Sequence, residues 1–138
     1  MTPHRDDGKP AGETQPARQA GETQVALVNA AADRGVALRY TAATLPCFTL
    51  WKNTDTEREG YVTGLEPGTG FAYTRATERA AGRVPTLAPG EHVSFGLTWR
   101  ILHGASEVVA AKAEIDAIQA GRTPVMLTSL GSTKAVNK

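Results

Sequence analysis

The sequence predicts a mainly β fold with one helix near its C-terminus. Alternating apolar and polar residues recur at residues 36–41, 60–66 and 93–101, with the period of two that is typical of strands. Residues 106–120 instead carry apolar residues at helical spacing. Pro-Gly pairs at 67–68 and 89–90 mark turns between these segments. Together the three observations favour a small β-rich domain.

Length, charge and cysteine content exclude several classes of protein. The 138 residues suffice for one domain, and the formal charge of +1 comes from scattered Lys and Arg, which argues against nucleic acid as a partner. The single cysteine, Cys47, excludes an internal disulfide and a cysteine-based metal cluster, and it fits the cytoplasm. No apolar run approaches the roughly 20 residues of a membrane span.

The chain divides into three predicted parts. Residues 1–21 are polar, rich in Gly, Pro, Gln and Ala, and without periodicity, and this composition predicts a disordered leader. Residues 22–122 carry the strand and helix patterns and form the folded part. Residues 123–138 hold one short apolar piece and are predicted to be a flexible tail.

The first two strands are predicted to form a hairpin. Structure is expected to begin at Thr23, and the segment 36–41 follows a turn signal at Asp33-Arg34-Gly35, which we place at the tip of the hairpin. In the second strand Val36, Leu38 and Tyr40 lie on one face.

The segment 45–52 is the most aromatic part of the chain and is predicted to be a strand. Pro46 belongs at its start, because proline inside a central strand removes a hydrogen bond from the ladder. Trp51 has two interpretations: it packs in the core, or it offers a flat apolar platform to the C–H face of a sugar. A charged loop, residues 53–60, follows.

Residues 60–69, GYVTGLEPGT, end an alternating run with a single carboxylate, Glu66. Gly64 and Gly68 leave room for close approach to the backbone, and Pro67 cannot donate to a sheet, so a ligand has space here. The plainer interpretation is that Glu66 is a solvated residue before a Pro-Gly turn.

The remaining segments complete the predicted fold. Residues 70–86 are expected to be an irregular surface connection, in which Phe71 and Tyr73 tether the loop or cap a site. The strand at 93–101 has a strongly apolar face, and we predict Trp99 in the core. In the helix, Ser106 is the expected cap and Gly121 the expected left-handed stop. Its narrow apolar face predicts a helix lying on the surface of the β structure.

The order and spacing of three segments resemble one known superfamily. An LPCF-x-x-WKNT segment at 45–54 is followed by GYVTGLEPGT at 60–69 and by L-x-PGE-x-x-x-F-x-L-x-W at 87–99. This arrangement is similar to the C-terminal part of the aldose 1-epimerase-like proteins, the galactose mutarotase superfamily of sugar-binding β-sandwiches. The resemblance implies a partial, truncated galactose-mutarotase-like β-sandwich with one C-terminal surface helix.

The resemblance also implies a chemistry and a set of residues. The family interconverts the α and β anomers of a free aldose without a cofactor or metal, using a glutamate base at the end of a late strand, and Glu66 matches it. By looser similarity to sugar-phosphate mutarotases, Trp51, Lys52 and Asn53 are candidate sugar-binding residues. For Lys52 and Asn53 the plainer interpretation is a strand end that leads into a polar loop.

The family acid, a histidine that precedes the base strand, has no match among His4, His92 and His103. We therefore expect a carbohydrate-binding protein with weak or no anomer interconversion. Strands lacking their sandwich partners would expose edges and an apolar face, which predicts a homodimer or a partner chain. Two alternatives stay open: a working isomerase whose acid comes from elsewhere, such as His103, and a small β-rich binding module without sugar chemistry.

Overall fold

The computed structural model describes residues 21–125, which form five strands and two α-helices. The predicted leader, residues 1–21, lies outside this range except for Gly21, and so does the tail beyond residue 125. In chain order the elements are β1 Glu22–Val28, β2 Arg34–Thr41, β3 Cys47–Lys52, a 3₁₀ turn Glu57–Glu59, β4 Thr63–Gly68, α1 Arg75–Ala80, β5 Leu97–His103 and α2 Ala105–Gln119.

The larger sheet is antiparallel, with the strand order β1-β2-β5. Its register places Leu38 of β2 between Val25 of β1 and Trp99 of β5. The predicted β1–β2 hairpin is present, but its tip lies at residues 29–33. Arg34 and Gly35 already belong to the ladder with β5, and the Asn29 side chain closes the turn by accepting the backbone N–H groups of Asp33 and Arg34, both at 3.1 Å.

Helix α2 covers one face of this sheet. Ala37 and Leu102 of the sheet and Val108 and Ala111 of the helix are fully or almost fully buried together. The small alanines allow the helix to approach the strands closely. At the rim of this contact Glu114 pairs with Arg39 at 2.9 Å and with Arg100 at 3.0 Å, which orients the helix across β2 and β5.

The predicted helix is confirmed, and its ends differ from the expectation by one or two residues. Gly104, with φ 102°, is the N-cap in place of Ser106, which lies within the first turn. No side chain caps this end; the carboxylate of Glu107 accepts the preceding His103 N–H at 2.7 Å. At the C-terminus the left-handed stop falls on Ala120, one residue before the predicted Gly121.

Strands β3 and β4 form a separate two-stranded antiparallel sheet, which we call the ribbon. The ribbon packs on the face of the larger sheet opposite α2. Phe48 stacks on Tyr40 with ring centroids 6.2 Å apart and planes at 11°. Leu65 and Phe48 join a second core cluster around the buried Leu38, Tyr40 and Leu45. The ribbon thus has one face against the protein and one face open.

Three sequence-based expectations about the segments after β4 are wrong. Trp99 is not a core residue, because its indole is 55% exposed. The ribbon packs over the β1–β2 side of the sheet, and among the described residues nothing equivalent packs over β5. The strand expected at 93–101 begins at Leu97, and the connection at 70–86 contains the short helix α1, which Thr74 caps by accepting the Thr77 N–H. Of the two turns expected at Pro-Gly pairs, the one at Pro89-Gly90 is formed, with Gly90 at φ 81°, whereas Pro67 and Gly68 belong to strand β4.

Candidate functional site

The ribbon brings Glu66 and Trp51 onto one face. In the β3–β4 register Thr49 lies opposite Glu66, and Trp51 lies opposite Gly64. Because side chains alternate across a strand, these four positions share a face, and Cys47 and Gly68 continue it toward the other end. This face points away from Phe48 and Leu65; Trp51 and Glu66 are exposed on it, whereas Cys47 at its end is buried.

Gly64 determines where the Glu66 carboxylate lies. A β-carbon added at Gly64 would collide with Oε1 of Glu66, because the glutamate side chain folds back over this glycine. The space that the sequence suggested for an approaching ligand is therefore taken by the protein's own carboxylate. Directly across the ladder from Gly64 is Trp51, whose indole is 49% exposed. An exposed carboxylate and an exposed indole thus lie side by side.

The segment after β4 builds a wall at the Cys47 end of this face. Glu78 is buried, accepts the Phe71 N–H at 2.9 Å, and receives two hydrogen bonds of 2.7 Å from the Arg83 guanidinium. The guanidinium carbon of Arg83 lies 5.2 Å from the centre of the Phe71 ring, and Tyr73 packs edge-on against the same ring. Phe71 therefore belongs to a tethered loop, as expected.

Gly70 makes this wall possible. A β-carbon at Gly70 would come within 2.5 Å of Oε2 of Glu78 and within 3.3 Å of the Arg83 carbonyl oxygen. Only glycine allows the chain to pass between the buried carboxylate and the returning backbone. Beside it the Cys47 thiol contacts the Thr69 carbonyl oxygen at 3.8 Å, and burial raises the pKa of this thiol. Cys47 is thus a protonated packing residue and not an activated nucleophile.

The Glu78–Arg83 pair predicts a specific response to acid. Hydrogen bonds from Arg83 hold the pKa of Glu78 below its ordinary value. A depressed folded-state pKa adds stability that is present above the unfolded-state value and is lost as the pH falls through the folded-state value. We expect Glu78→Gln to melt below the wild type at neutral pH, and this gap in melting temperature to narrow as the pH falls below the ordinary pKa of a glutamate.

Thermal melts by circular dichroism across this pH range measure the gap. Glu57→Gln is the matched control, since Glu57 lies exposed in the 3₁₀ turn. We expect that variant to follow the wild type at every pH. If the difference in melting temperature between Glu78→Gln and the wild type does not change with pH, Glu78 stabilises the fold by its packing and hydrogen bonds and not by its charge.

Lys52 lies on the other face of the ribbon from Glu66, and the Asn53 side chain is engaged in its own loop. Lys52 pairs with Thr63 in the ladder, and alternation places its side chain on the other face of the ribbon. Asn53 organises the 53–60 loop: its amide donates to the Gly60 carbonyl oxygen at 3.2 Å and accepts the Asp55 N–H at 3.0 Å. Their roles toward a sugar remain predictions.

Neither His92 nor His103, the two histidines among residues 21–125, lies on the ribbon strands. His103 ends β5 in the larger sheet, His92 lies in the segment before β5, and His4 is outside the described residues. Within residues 21–125 no group of three or more His, Cys, Asp or Glu side chains is arranged to hold a metal ion. Nor does this part of the chain contain a helix with the length and apolar character needed to cross a bilayer.

Sequence reasoning missed two features of the site. It did not pair Glu78 with Arg83, because their residue types at a spacing of five match no motif and the preceding loop carries several other charges. It identified Gly64 as open space, but not that the Glu66 side chain fills that space. The position of the Glu66 side chain over Gly64 could have been predicted, because two residues that are two positions apart on a strand lie on the same face.

Comparison with known proteins supports the expected relationship. The family described as a domain of unknown function, DUF4432, matches residues 4–101. A crystal structure described as a "putative aldose 1-epimerase" from Klebsiella pneumoniae subsp. pneumoniae is 43% identical, with a TM-score of 0.72. The match covers 78% of this chain and 28% of that chain, so the present chain spans little more than a quarter of the other protein. None of the curated proteins matches.

These similarities confirm the predicted relationship to aldose 1-epimerase-like proteins, and the mainly β fold class with one principal helix. Because the family match extends from residue 4 to residue 101, this chain belongs to the DUF4432 family and is similar in sequence and fold to an aldose 1-epimerase-like protein.

Proposed function

We propose that the open face of the ribbon binds an aldose, with Trp51 and Glu66 as its two principal contacts. The observation that carries this proposal is the ladder register, in which the Glu66 carboxylate lies over Gly64, directly across from Trp51. A pyranose has an apolar C–H face and a rim of hydroxyl groups. The exposed indole suits the first, and an ionised carboxylate accepts hydrogen bonds from the second.

The dimensions of the face suit a single sugar ring. Trp51 and Cys47 are four residues apart on β3, which corresponds to about 13 Å along a strand. Glu66 lies between them, and the Phe71–Arg83 wall stands at the Cys47 end. A sugar stacked on Trp51 therefore has its hydroxyl groups within reach of Glu66 and its far edge toward the wall. Lys52, on the other face, and Asn53, engaged in its loop, contribute less to this arrangement.

The chemistry that follows is proton abstraction at an anomeric hydroxyl. Glu66 as general base removes that proton, the ring opens when an acid protonates the ring oxygen, and closure after rotation about the C1–C2 bond gives the other anomer. The described residues place Glu66 on the ribbon and both described histidines elsewhere. We therefore propose a carbohydrate-binding domain whose own anomer interconversion is weak.

Sugar binding is measured by the fluorescence of Trp51. The chain has two tryptophans, so a Trp99→Phe background leaves Trp51 as the reporter. Galactose and glucose, with glycerol as a solute control, are expected to change its emission saturably, with a dissociation constant on the order of millimolar. Glu66→Gln in that background should weaken binding about tenfold or more, because a hydrogen bond to a charged acceptor contributes about 1.5–3 kcal/mol.

The matched control is Glu57→Gln, which alters an exposed carboxylate of the loop and should leave binding unchanged. The proposal fails if no sugar gives a saturable change in emission at concentrations up to about 100 times the expected millimolar dissociation constant. It also fails if Glu66→Gln binds sugar as tightly as its parent. The domain would then be a β-rich interaction module without sugar chemistry.

A further inference from the structure

Two hydrogen-bond acceptors lie on the ribbon face beside the exposed indole of Trp51. The first is the Glu66 carboxylate, which is folded over Gly64. The second is the Gly70 carbonyl oxygen: a β-carbon added at Gly68 would lie 3.0 Å from it, and Gly68 is on the same strand face as Glu66. Neither group can donate a hydrogen bond. A ligand that brings donors therefore suits this face.

The charge on the ribbon face is negative. Among its six ladder positions, which are Cys47, Thr49, Trp51, Gly64, Glu66 and Gly68, only Glu66 carries a charge. Two cations of the ribbon and its wall do not offset this charge. Arg83 donates two hydrogen bonds of 2.7 Å to the buried Glu78, so the two form a neutral pair. Lys52 extends from the opposite face of the ribbon.

We propose that the ribbon face prefers an aldose that carries a protonated amine at C2, a 2-amino-2-deoxy sugar, to the corresponding neutral aldose. This inference rests on the proposed function, in which Glu66 accepts the proton of the anomeric hydroxyl. Because C2 is bonded to the anomeric carbon, a substituent on C2 lies beside that hydroxyl and within reach of the same carboxylate. The resulting hydrogen bond is charged on both sides, which makes it stronger than one from a neutral hydroxyl.

Trp51 adds to the same preference. A sugar stacked on the indole brings its C2 substituent near the ring, and the face of a tryptophan attracts a cation that lies within about 6 Å of its centre. The indole is 49% exposed, and Glu66 is exposed beside it, so water screens both attractions. Two opposite charges about 4 Å apart in water change a dissociation constant about fivefold. We expect galactosamine to bind about five times more tightly than galactose.

A titration with three related sugars tests this preference. Galactose, galactosamine and N-acetylgalactosamine are added to the Trp99→Phe protein at about pH 6, where the amine is protonated, and the midpoint of the Trp51 fluorescence change is measured. N-acetylgalactosamine keeps the nitrogen on C2 but has no charge, so it should not share the gain. Glu66→Gln should bring galactosamine and galactose to within about twofold of each other. Glu57→Gln, in the exposed 3₁₀ turn, should keep the preference.

A second measurement uses the wild-type carboxylate and changes only the ligand. At about pH 9.5 the sugar's amine is neutral, and the advantage of galactosamine should disappear while galactose binds as before. Raising the salt concentration from about 0.05 M to about 0.5 M at pH 6 should also reduce the advantage, because salt screens an exposed ion pair.

The outcomes separate this inference from the proposed function. If neither galactose nor galactosamine binds, the proposed function fails and this inference fails with it. If galactose binds through Glu66 but galactosamine binds no more tightly, only this inference is overturned. It is also overturned if the preference persists in Glu66→Gln or at about pH 9.5, or if N-acetylgalactosamine binds as tightly as galactosamine.

Discussion

Replacing Leu102 with alanine is expected to lower the free energy of unfolding by about 3 kcal/mol, because a buried leucine loses its apolar contacts and leaves a cavity. Leu102 is fully buried between β5 and α2, where it packs with Ala37, Val108 and Ala111. Those neighbours are too small and too firmly held in the sheet and helix to fill the space. Urea unfolding followed by circular dichroism measures the loss.

The neighbouring residue provides the control. Ile101 is 75% exposed on the opposite face of the same strand, so Ile101→Ala removes a side chain of equal carbon number without creating a cavity. We expect it to cost less than about 1 kcal/mol, the range of strand propensity at exposed sites. Equal losses for the two variants would contradict the assignment of the core to the α2 side of the sheet.

The second large effect concerns Glu66 and anomer interconversion. If the ribbon face acts on the sugar it binds, Glu66 is the general base, and general base catalysis contributes at least about 10²-fold to a rate. The polarimetric change of freshly dissolved α-galactose and α-glucose should be accelerated weakly by the protein. In Glu66→Gln the rate should return to that of the sugar alone, because an amide cannot accept the anomeric proton.

Glu57→Gln at the same concentration should retain whatever acceleration the wild type gives, since its carboxylate lies in the loop. Acceleration that persists in Glu66→Gln would assign the base to another residue. A folded wild type that binds galactose without accelerating its interconversion would instead limit this chain to binding.

The local elements could be predicted from residue patterns. Alternation predicted β2, β3, β4 and β5, and helical spacing predicted α2 to within two residues at each end. Within each strand the same period of two puts Gly64 on the side of Glu66, and Thr49 on the side of Trp51. These predictions succeed because they depend only on the backbone period of each element.

The failures concern which side of an element is covered. Val93, Phe95 and Trp99 gave the pattern of a buried strand face, yet they are exposed. Strand β5 does alternate, but α2 packs on its other face, which carries Thr98, Arg100 and Leu102. There Leu102 is buried against the helix, and Arg100 forms an ion pair with Glu114 of the helix. A pattern within one strand contains no information about which neighbour covers which side.

The sequence by itself determined the class of fold, the strand that carries Glu66 and the relationship to aldose 1-epimerase-like proteins, because periodicity and motif spacing are properties of the chain alone. Only the tertiary structure decided that Glu66 folds over Gly64 opposite Trp51, that Glu78 and Arg83 build a wall beside them, and that Trp99 is exposed among the described residues. Each of these depends on ladder register or on packing between segments, and both arise from contacts between residues distant in the chain, which local patterns do not encode.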